Sequence, residues 1–559
     1  MRAVRFMLAF GILSGTLQAQ LLDHRAAESY TRADTLRGML RAERTSYDLR
    51  WYGIDVRIDP AREFISGSVT MRFTVVEPCL RMQVDLFDNM TLESASLDGG
   101  PPLSYERQFN AIFLTLPSLL KTGTTHDLLL RYSGSPRVAK NPPWDGGFIW
   151  TKDEEGNPWV AVACQGTGAS LWWPNKDHQA DKPDSVLISV TVPPGLEDVS
   201  NGRLRDSTRL EDGWMRYRWA VTYPINNYDV TVNIGRFVHF GERFARGDTL
   251  DLDYYVLPSH LERARAQFVQ VRPMIACYEH AFGPYPFPRD GYKLIESPHL
   301  GMEHQSAVAY GNAFQQGYRG MSGSEWGLKF DFIIVHESAH EWWGNCVTAK
   351  DIADMWIHES FAAYAEGLYV ECTFGRAAML DYINAKKHDV TNRAPIIGTY
   401  NVNKEGSQDM YPKGALMLHT LRSVLDDDSL FFSLLRGMCE QFRYQTVAAE
   451  DIVSYINAHT GTDYTYFFNQ YLRRTSLPRL DVMLLSKGGT LRARYRWHAD
   501  EKDFHMPVRV TTAPGELAFI HPTSEWQSLE LGSMDPAQFQ IAVDLFYVDT
   551  QVRTVYQVP

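Results

Sequence analysis

The chain reads as a multidomain α+β protein: a β-sandwich-like domain first, a mainly helical middle and a small β-sandwich last. Three observations predict this. Hydrophobic residues alternate with period two over residues 46–250, the pattern turns helical over 251–475, and alternation returns over 476–559. A length of 559 residues accommodates about three domains. With 44% hydrophobic and 13% aromatic residues, the chain can bury large cores.

Arg2 and Arg5 flank an apolar stretch, 6–13, and Ala19 offers a small residue at a cleavage point. Residues 1–19 therefore read as a secretory signal peptide, with Gln20 as the mature start. The stretch is short and gives way to Ser14, Gly15 and Gln18, so it lacks the span a bilayer requires. The first cysteine is Cys79, which leaves no lipid-attachment cysteine at the cleavage point. A secreted or periplasmic protein is expected, without stable membrane insertion after cleavage. Removing 1–19 takes away two arginines and no acid, moving the net charge from −12 to −14.

Residues 20–45, rich in Arg, Ala and Glu, form a short helical or poorly ordered lead. In the first β domain, Ile54, Val56 and Ile58 alternate with Asp55 and Arg57, and Val69, Met71, Phe73 and Val75 with Thr70, Arg72 and Thr74. Gly99-Gly100-Pro101-Pro102 and Pro142-Pro143 punctuate it. The helical region opens near Ser259 and closes near Arg473, with amphipathic stretches at 415–425 and 430–442. In the last domain Leu491, Ala493, Tyr495 and Trp497 alternate with three arginines, and Phe539, Ile541, Val543 and Leu545 repeat the period. No internal repeat or low-complexity tract is present.

The densest chemistry lies in His336-Glu337-Ser338-Ala339-His340, followed after 18 residues by Glu359. Spacing of four puts His336 and His340 one helical turn apart on one face, where both rings can reach a single ion. A carboxylate from a second helical stretch, Trp356 to Glu366, then completes a His/His/Glu zinc set. Gly344-Asn345 marks a stop between the two helices, and a connection through Asp351 folds the second back on the first. Glu337 is placed to take a proton from water at the open metal position. With 17 His in the chain, about 0.06 accidental matches to the two-histidine motif are expected, falling to about 0.007 once the distant acid is required. The apolar run at 332–335 argues for a buried helix, where unpaired histidines are costly. Glu366, seven residues after Glu359 on the same face, is placed to orient a ligand histidine, with a surface charge as the alternative.

The runs 335–345 and 356–362 resemble the zinc aminopeptidases of the aminopeptidase N and leukotriene hydrolase family. Leu300-Gly301-Met302-Glu303-His304 is similar to that family's G-x-M-E-N motif, and Tyr411-Pro412-Lys413-Gly414-Ala415 to its Y-x-K-G-[AF] motif. The loop at 164–177, with Gln165 twelve residues before Asp177, resembles the loop that helps hold the substrate's amine. The likeness runs from about residue 46 to residue 475. It implies a thermolysin-like catalytic domain at 251–475, one Zn2+ held by His336, His340 and Glu359, and Glu337 as general base. It further implies Tyr411 on the oxyanion, with Glu303 and Gln165 on the free amine of a peptide. Leu300 and His304 depart from the motif: the first adds bulk where substrate backbone should dock, and the second is able to titrate near neutral pH.

The expected activity is hydrolysis of the N-terminal peptide bond. Endopeptidase or epoxide hydrolase chemistry on the same zinc, or a catalytically silent peptide-binding protein, are the alternatives. No basic stripe with interleaved aromatics occurs, which argues against nucleic acid. The six cysteines are scattered without C-x-x-C spacing and read as packing residues, although an oxidising compartment permits a bridge. Only about 80 residues follow the helical region, too few for the large helical superstructure many relatives carry, so a more open cleft is expected. Oligomeric state and the preferred N-terminal residue stay open.

Overall fold

The computed structural model describes residues 29–246 and 248–556. The expected signal peptide and the start of the lead segment lie outside them. The lead forms two short helices, Arg32–Gly38 and Ala42–Thr45. It is pinned to the first domain by Arg44, whose buried guanidinium pairs with Asp85 at 2.5 Å.

Strands Tyr47–Asp59 and Phe64–Val75 pair antiparallel, with Ile54, Val56, Val69, Met71 and Phe73 buried while Asp55 and Arg72 face out. That pair sits inside a seven-stranded sheet, which packs with a three-stranded and a four-stranded sheet around one hydrophobic core. Each strand sheds its apolar face inward, the outcome alternation predicts.

The boundary expected at 250/251 falls inside a hairpin. Strands Val238–Arg246 and Asp248–Val256 both join a five-stranded sheet that continues through Tyr292–Glu296 and Val308–Tyr310 to Gly301–Met302 at its edge. Alternation alone marks a strand but not the sheet it will join, so the passage from one domain to the next was invisible in the pattern.

Helix Phe332–Ala339 packs on this sheet, Trp356–Phe374 on that helix and Pro412–Leu425 on Trp356–Phe374, and all three are buried on nearly every side, polar residues included. A disulfide joins Cys277 on helix Val271–Phe282 to Cys372 on helix Trp356–Phe374, and the other four cysteines are free and buried.

The last domain holds a four-stranded sheet and a two-stranded one. Leu491, Ala493, Tyr495 and Trp497 are buried as expected. The segment 539–545, expected as a strand, makes only an isolated bridge from Ile541 to Val510 and then turns. There it docks on the helical domain: Asp544 O accepts from His419 Nε2 at 3.1 Å, and Tyr547 N donates to Thr420 Oγ1 at 2.9 Å. Apolar residues from both domains form one continuous cluster, so this small β unit shares its core with the helices. No described helix is long and apolar enough to cross a membrane.

Candidate metal centre

Helix Phe332–Ala339 begins at Asp331, whose Oδ1 accepts from Ile333 N at 3.1 Å as an N-cap. Asp331 is itself held by Tyr310 and Asn312 of the neighbouring sheet and loop. The helix ends earlier than the expected stop at Gly344-Asn345: Ala339 is its last residue and His340 caps it, still in helical dihedrals. The chain then passes through a short strand, Val347–Ala349, and a turn capped by Asp351 before helix Trp356–Phe374 brings Glu359 back.

The result is a triangle. His336 Nε2 and His340 Nε2 are 3.4 Å apart, and each lies 3.4 Å from Glu359 Oε2. Donor atoms around a tetrahedral zinc ion bound at about 2.0–2.1 Å are about 3.3–3.4 Å apart, so the spacing is that of one face of such a site. Both rings turn Nε2 toward the triangle, because the opposite nitrogens are engaged: His336 Nδ1 donates to Glu366 Oε1 at 2.8 Å and His340 Nδ1 to Trp343 O at 2.9 Å, so that a metal ion can take the place of a proton at each Nε2. Glu359 Oε2 is buried without a hydrogen-bond donor among the described residues. Such an atom is expensive to bury unless a cation meets it, and the residues fit zinc on that ground.

A second group, Glu303, Glu337 and His340, also brings ligand atoms within 4.8 Å of one another. It is the weaker candidate. It shares His340 with the first, and the Glu303 carboxylate already accepts from Gln165 Nε2 and, at 3.2 Å, from Tyr228 OH.

Burial opposes charge on all these groups; the neighbours override it at Glu359 and His336, and burial prevails at Glu337 and Glu303. His340 and His336 hold the Glu359 carboxyl well below its ordinary range despite burial. Burial works against protonation of His336, but Glu359 and Glu366 pull it well above the ordinary imidazole value. Burial pushes Glu337 up, against the opposing pull of the two histidines. It pushes Glu303 up to about 8, with Glu359 and Glu337 adding to the effect against His340.

Glu366 is buried, which excludes the surface-charge reading. Its Oε2 accepts from Tyr382 OH and from Lys386 Nζ, each at 2.6 Å, partners that no local motif announced. The chain Lys386–Glu366–His336 fixes the imidazole tautomer. Replacing Lys386 with methionine is expected to weaken zinc affinity about tenfold, within the 10–100-fold range of outer-shell changes. Competition with a chelator measures this, and wild-type affinity in the variant removes Lys386 from the relay.

Gln165 reaches across from the first domain. Its amide nitrogen donates to Glu303 Oε1 and, at 3.4 Å, to Glu359 Oε1. The interface that positions it is polar and buried: Lys182 Nζ donates to Asn345 O at 2.7 Å and to Thr348 Oγ1 at 3.0 Å. Tyr411 opens helix Pro412–Leu425, and its ring lies 5.9 Å from that of His336.

The two departures from the motif resolve differently from expectation. Leu300 lines the cleft but is buried and packs into the helical-domain core, so most of its bulk is absorbed there. The position that tolerates no side chain is Gly301, where a Cβ would meet Ile333 Cγ2 at 2.6 Å and Glu337 Oε1 at 2.9 Å. His304 is fully buried, and burial drives it well below the ordinary imidazole value, so it stays neutral rather than titrating near neutral pH. Asn345, and not His304, supports the motif, donating through Nδ2 to Glu303 O at 2.8 Å.

These side chains line a cleft of about 700 Å³, and an adjoining chamber of about 510 Å³ shares Tyr318, Phe332, Gln408 and Tyr411 with it. The arrangement can anchor an ammonium at one end, hold a metal in the middle and accommodate more chain beyond Tyr411.

Residues 267–471 match the peptidase family M1 domain. Among curated relatives, endoplasmic reticulum aminopeptidase 1 of Mus musculus is 25% identical over 338 residues, covering 58% of this chain and 36% of the relative. Aminopeptidase B of Homo sapiens is 24% identical over 435 residues, covering 73% and 60%. The chain thus spans between about a third and three-fifths of the length of these relatives. In fold it resembles the crystal structure of an M1 zinc metallopeptidase from Deinococcus radiodurans, with a TM-score of 0.65 at 21% identity, covering 78% of this chain and 95% of that one. A mutant of that protein, seen bound to a Tyr-Ser-Ala substrate, aligns with a TM-score of 0.64 at 22% identity. Sequence match and fold point the same way: residues 267–471 match the peptidase family M1 domain, and the chain is homologous to endoplasmic reticulum aminopeptidase 1 and aminopeptidase B.

Proposed function

We propose that the protein is a zinc-dependent aminopeptidase that removes N-terminal residues from peptides. The observation that carries this is the meeting of Glu303 and Gln165, from different domains, in the cleft beside the metal triangle, a pair suited to bind a free ammonium. Bound to His336, His340 and Glu359, zinc supplies Lewis acidity and lowers the pKa of its water to about 7.

The protein's own groups do the rest. Glu303 receives the substrate ammonium by a charge-assisted hydrogen bond, and the Gln165 carbonyl oxygen adds an acceptor. That fixes the scissile carbonyl within reach of the Tyr411 hydroxyl, which donates to its oxygen as negative charge develops. Glu337 takes a proton from the attacking water and returns it to the leaving amine. The adjoining chamber, on the far side of Tyr411, receives the departing peptide.

An aminoacyl anilide is expected to be hydrolysed, and its N-acetylated form to be cleaved at least about 100-fold more slowly, because acetylation removes the charge Glu303 recognises. Equal rates on the two would point to the endopeptidase reading.

We further propose export to a periplasm or the exterior. The charged, apolar and small-residue pattern at 1–19 supports it, as does the Cys277–Cys372 bridge, which persists in oxidising compartments. N-terminal sequencing of the exported protein is expected to begin at Gln20; retention of residues 1–19 in the cytosol contradicts it.

A further inference from the structure

We propose that Glu405 is a specificity-determining residue that favours peptides beginning with a cationic residue, lysine or arginine. This rests on the aminopeptidase reading above. With the ammonium held at Glu303 and Gln165 and the carbonyl facing Tyr411, one wall open to the first side chain of the substrate is the hairpin 399–404 with the residues that follow it, of which Asn403, Lys404, Glu405, Gly406 and Gln408 line the cleft. It is tied to the loop of Gln165 by Asn403 Nδ2, which donates to Gly166 O at 3.1 Å.

Four carboxylates line the cleft: Glu303, Glu337, Glu359 and Glu405. The first three hold the amine, the proton and the metal. Glu405 has no such task. It is half-buried, its Oε1 accepts from Gln408 Nε2 at 3.2 Å, and no cationic side chain pairs with it among the described residues. Its neighbour Lys404 is directed to the lead segment, with its ammonium 6.0 Å from the Tyr30 ring and acting on Asp34.

The hairpin holds Glu405 in place before substrate arrives. Thr399 and Lys404 bridge antiparallel, and Asn401 N donates to Asp351 Oδ2 at 3.0 Å. At Gly406 a Cβ would meet Ile396 O at 1.6 Å, so the turn closes against backbone and admits no other residue there. A carboxylate fixed in a partly desolvated cleft gains from a lysyl or arginyl cation without further ordering of the protein. An acidic side chain meets like charge at the same point.

The test compares lysyl and norleucyl anilides, which differ by the terminal ammonium alone. The wild-type protein is expected to favour lysyl by at least about tenfold in kcat/KM, and Glu405→Gln to erase that ratio. Glu405→Lys is expected to invert it, with both variants keeping wild-type zinc content and Tm. A wild type that cleaves norleucyl as well as or better than lysyl overturns the assignment, as does a ratio unmoved in Glu405→Gln, while the aminopeptidase reading stands. A wild type that cleaves no anilide with a free amine overturns both.

Discussion

Replacing Glu337 with glutamine is expected to leave one zinc ion per chain and to lower kcat/KM by about 10²–10⁴-fold, the range of a lost general acid–base group. The two halves of the expectation have separate causes. Metal is retained because Glu337 stands outside the 3.4 Å triangle of His336, His340 and Glu359. Activity falls because an amide cannot take the proton from water or return it to the leaving amine. The substitution is nearly isosteric, and Gly301 continues to give the side chain the room a Cβ would take. Elemental analysis beside steady-state kinetics measures both, and wild-type turnover in the zinc-loaded variant would show that another group is the base.

Glu359→Gln is the second large effect. The variant is expected to lose zinc on dialysis, with affinity down by more than about 100-fold, beyond the range typical of outer-shell changes. Activity is lost with the ion. Glu359 supplies the one formal negative charge of the triangle, and its Oε2 is buried without another donor. Glutamine leaves two neutral imidazoles and introduces an N–H where a lone pair is needed. Because zinc binds the folded state, the variant is also expected to lose the rise in Tm that added zinc gives the wild type. A variant that holds zinc as tightly as the wild type would place the third ligand elsewhere.

Much of this site could be read from local order. Two histidines four apart behind an apolar run dictate one turn of a buried helix, and a Gly- and Pro-free stretch around Glu359 dictates another. Those are short-range constraints, carried by residues within a few turns of one another. Glu303, Gln165 and Tyr411 were reached by resemblance, since a lone glutamate or glutamine in a loop has no periodicity to mark it. Tyr382 and Lys386, which hold Glu366, and Tyr228, which holds Glu303, carried no signal at all: their partners lie 16, 20 and 75 residues away along the chain.

By itself, then, the order of residues determined most of the strand and helix types, the spacing of the ligands and the acid beside them, because each follows from backbone period or from adjacency. Tertiary packing alone decided which sheet the hairpin Val238–Arg246 and Asp248–Val256 would join. It also decided that 539–545 would dock as a turn on the helices, that Cys277 would meet Cys372, and that His304 would be buried neutral while Glu405 faced the cleft. Each of these depends on surfaces brought together from distant segments, where burial and the charges of non-neighbours outweigh any local preference.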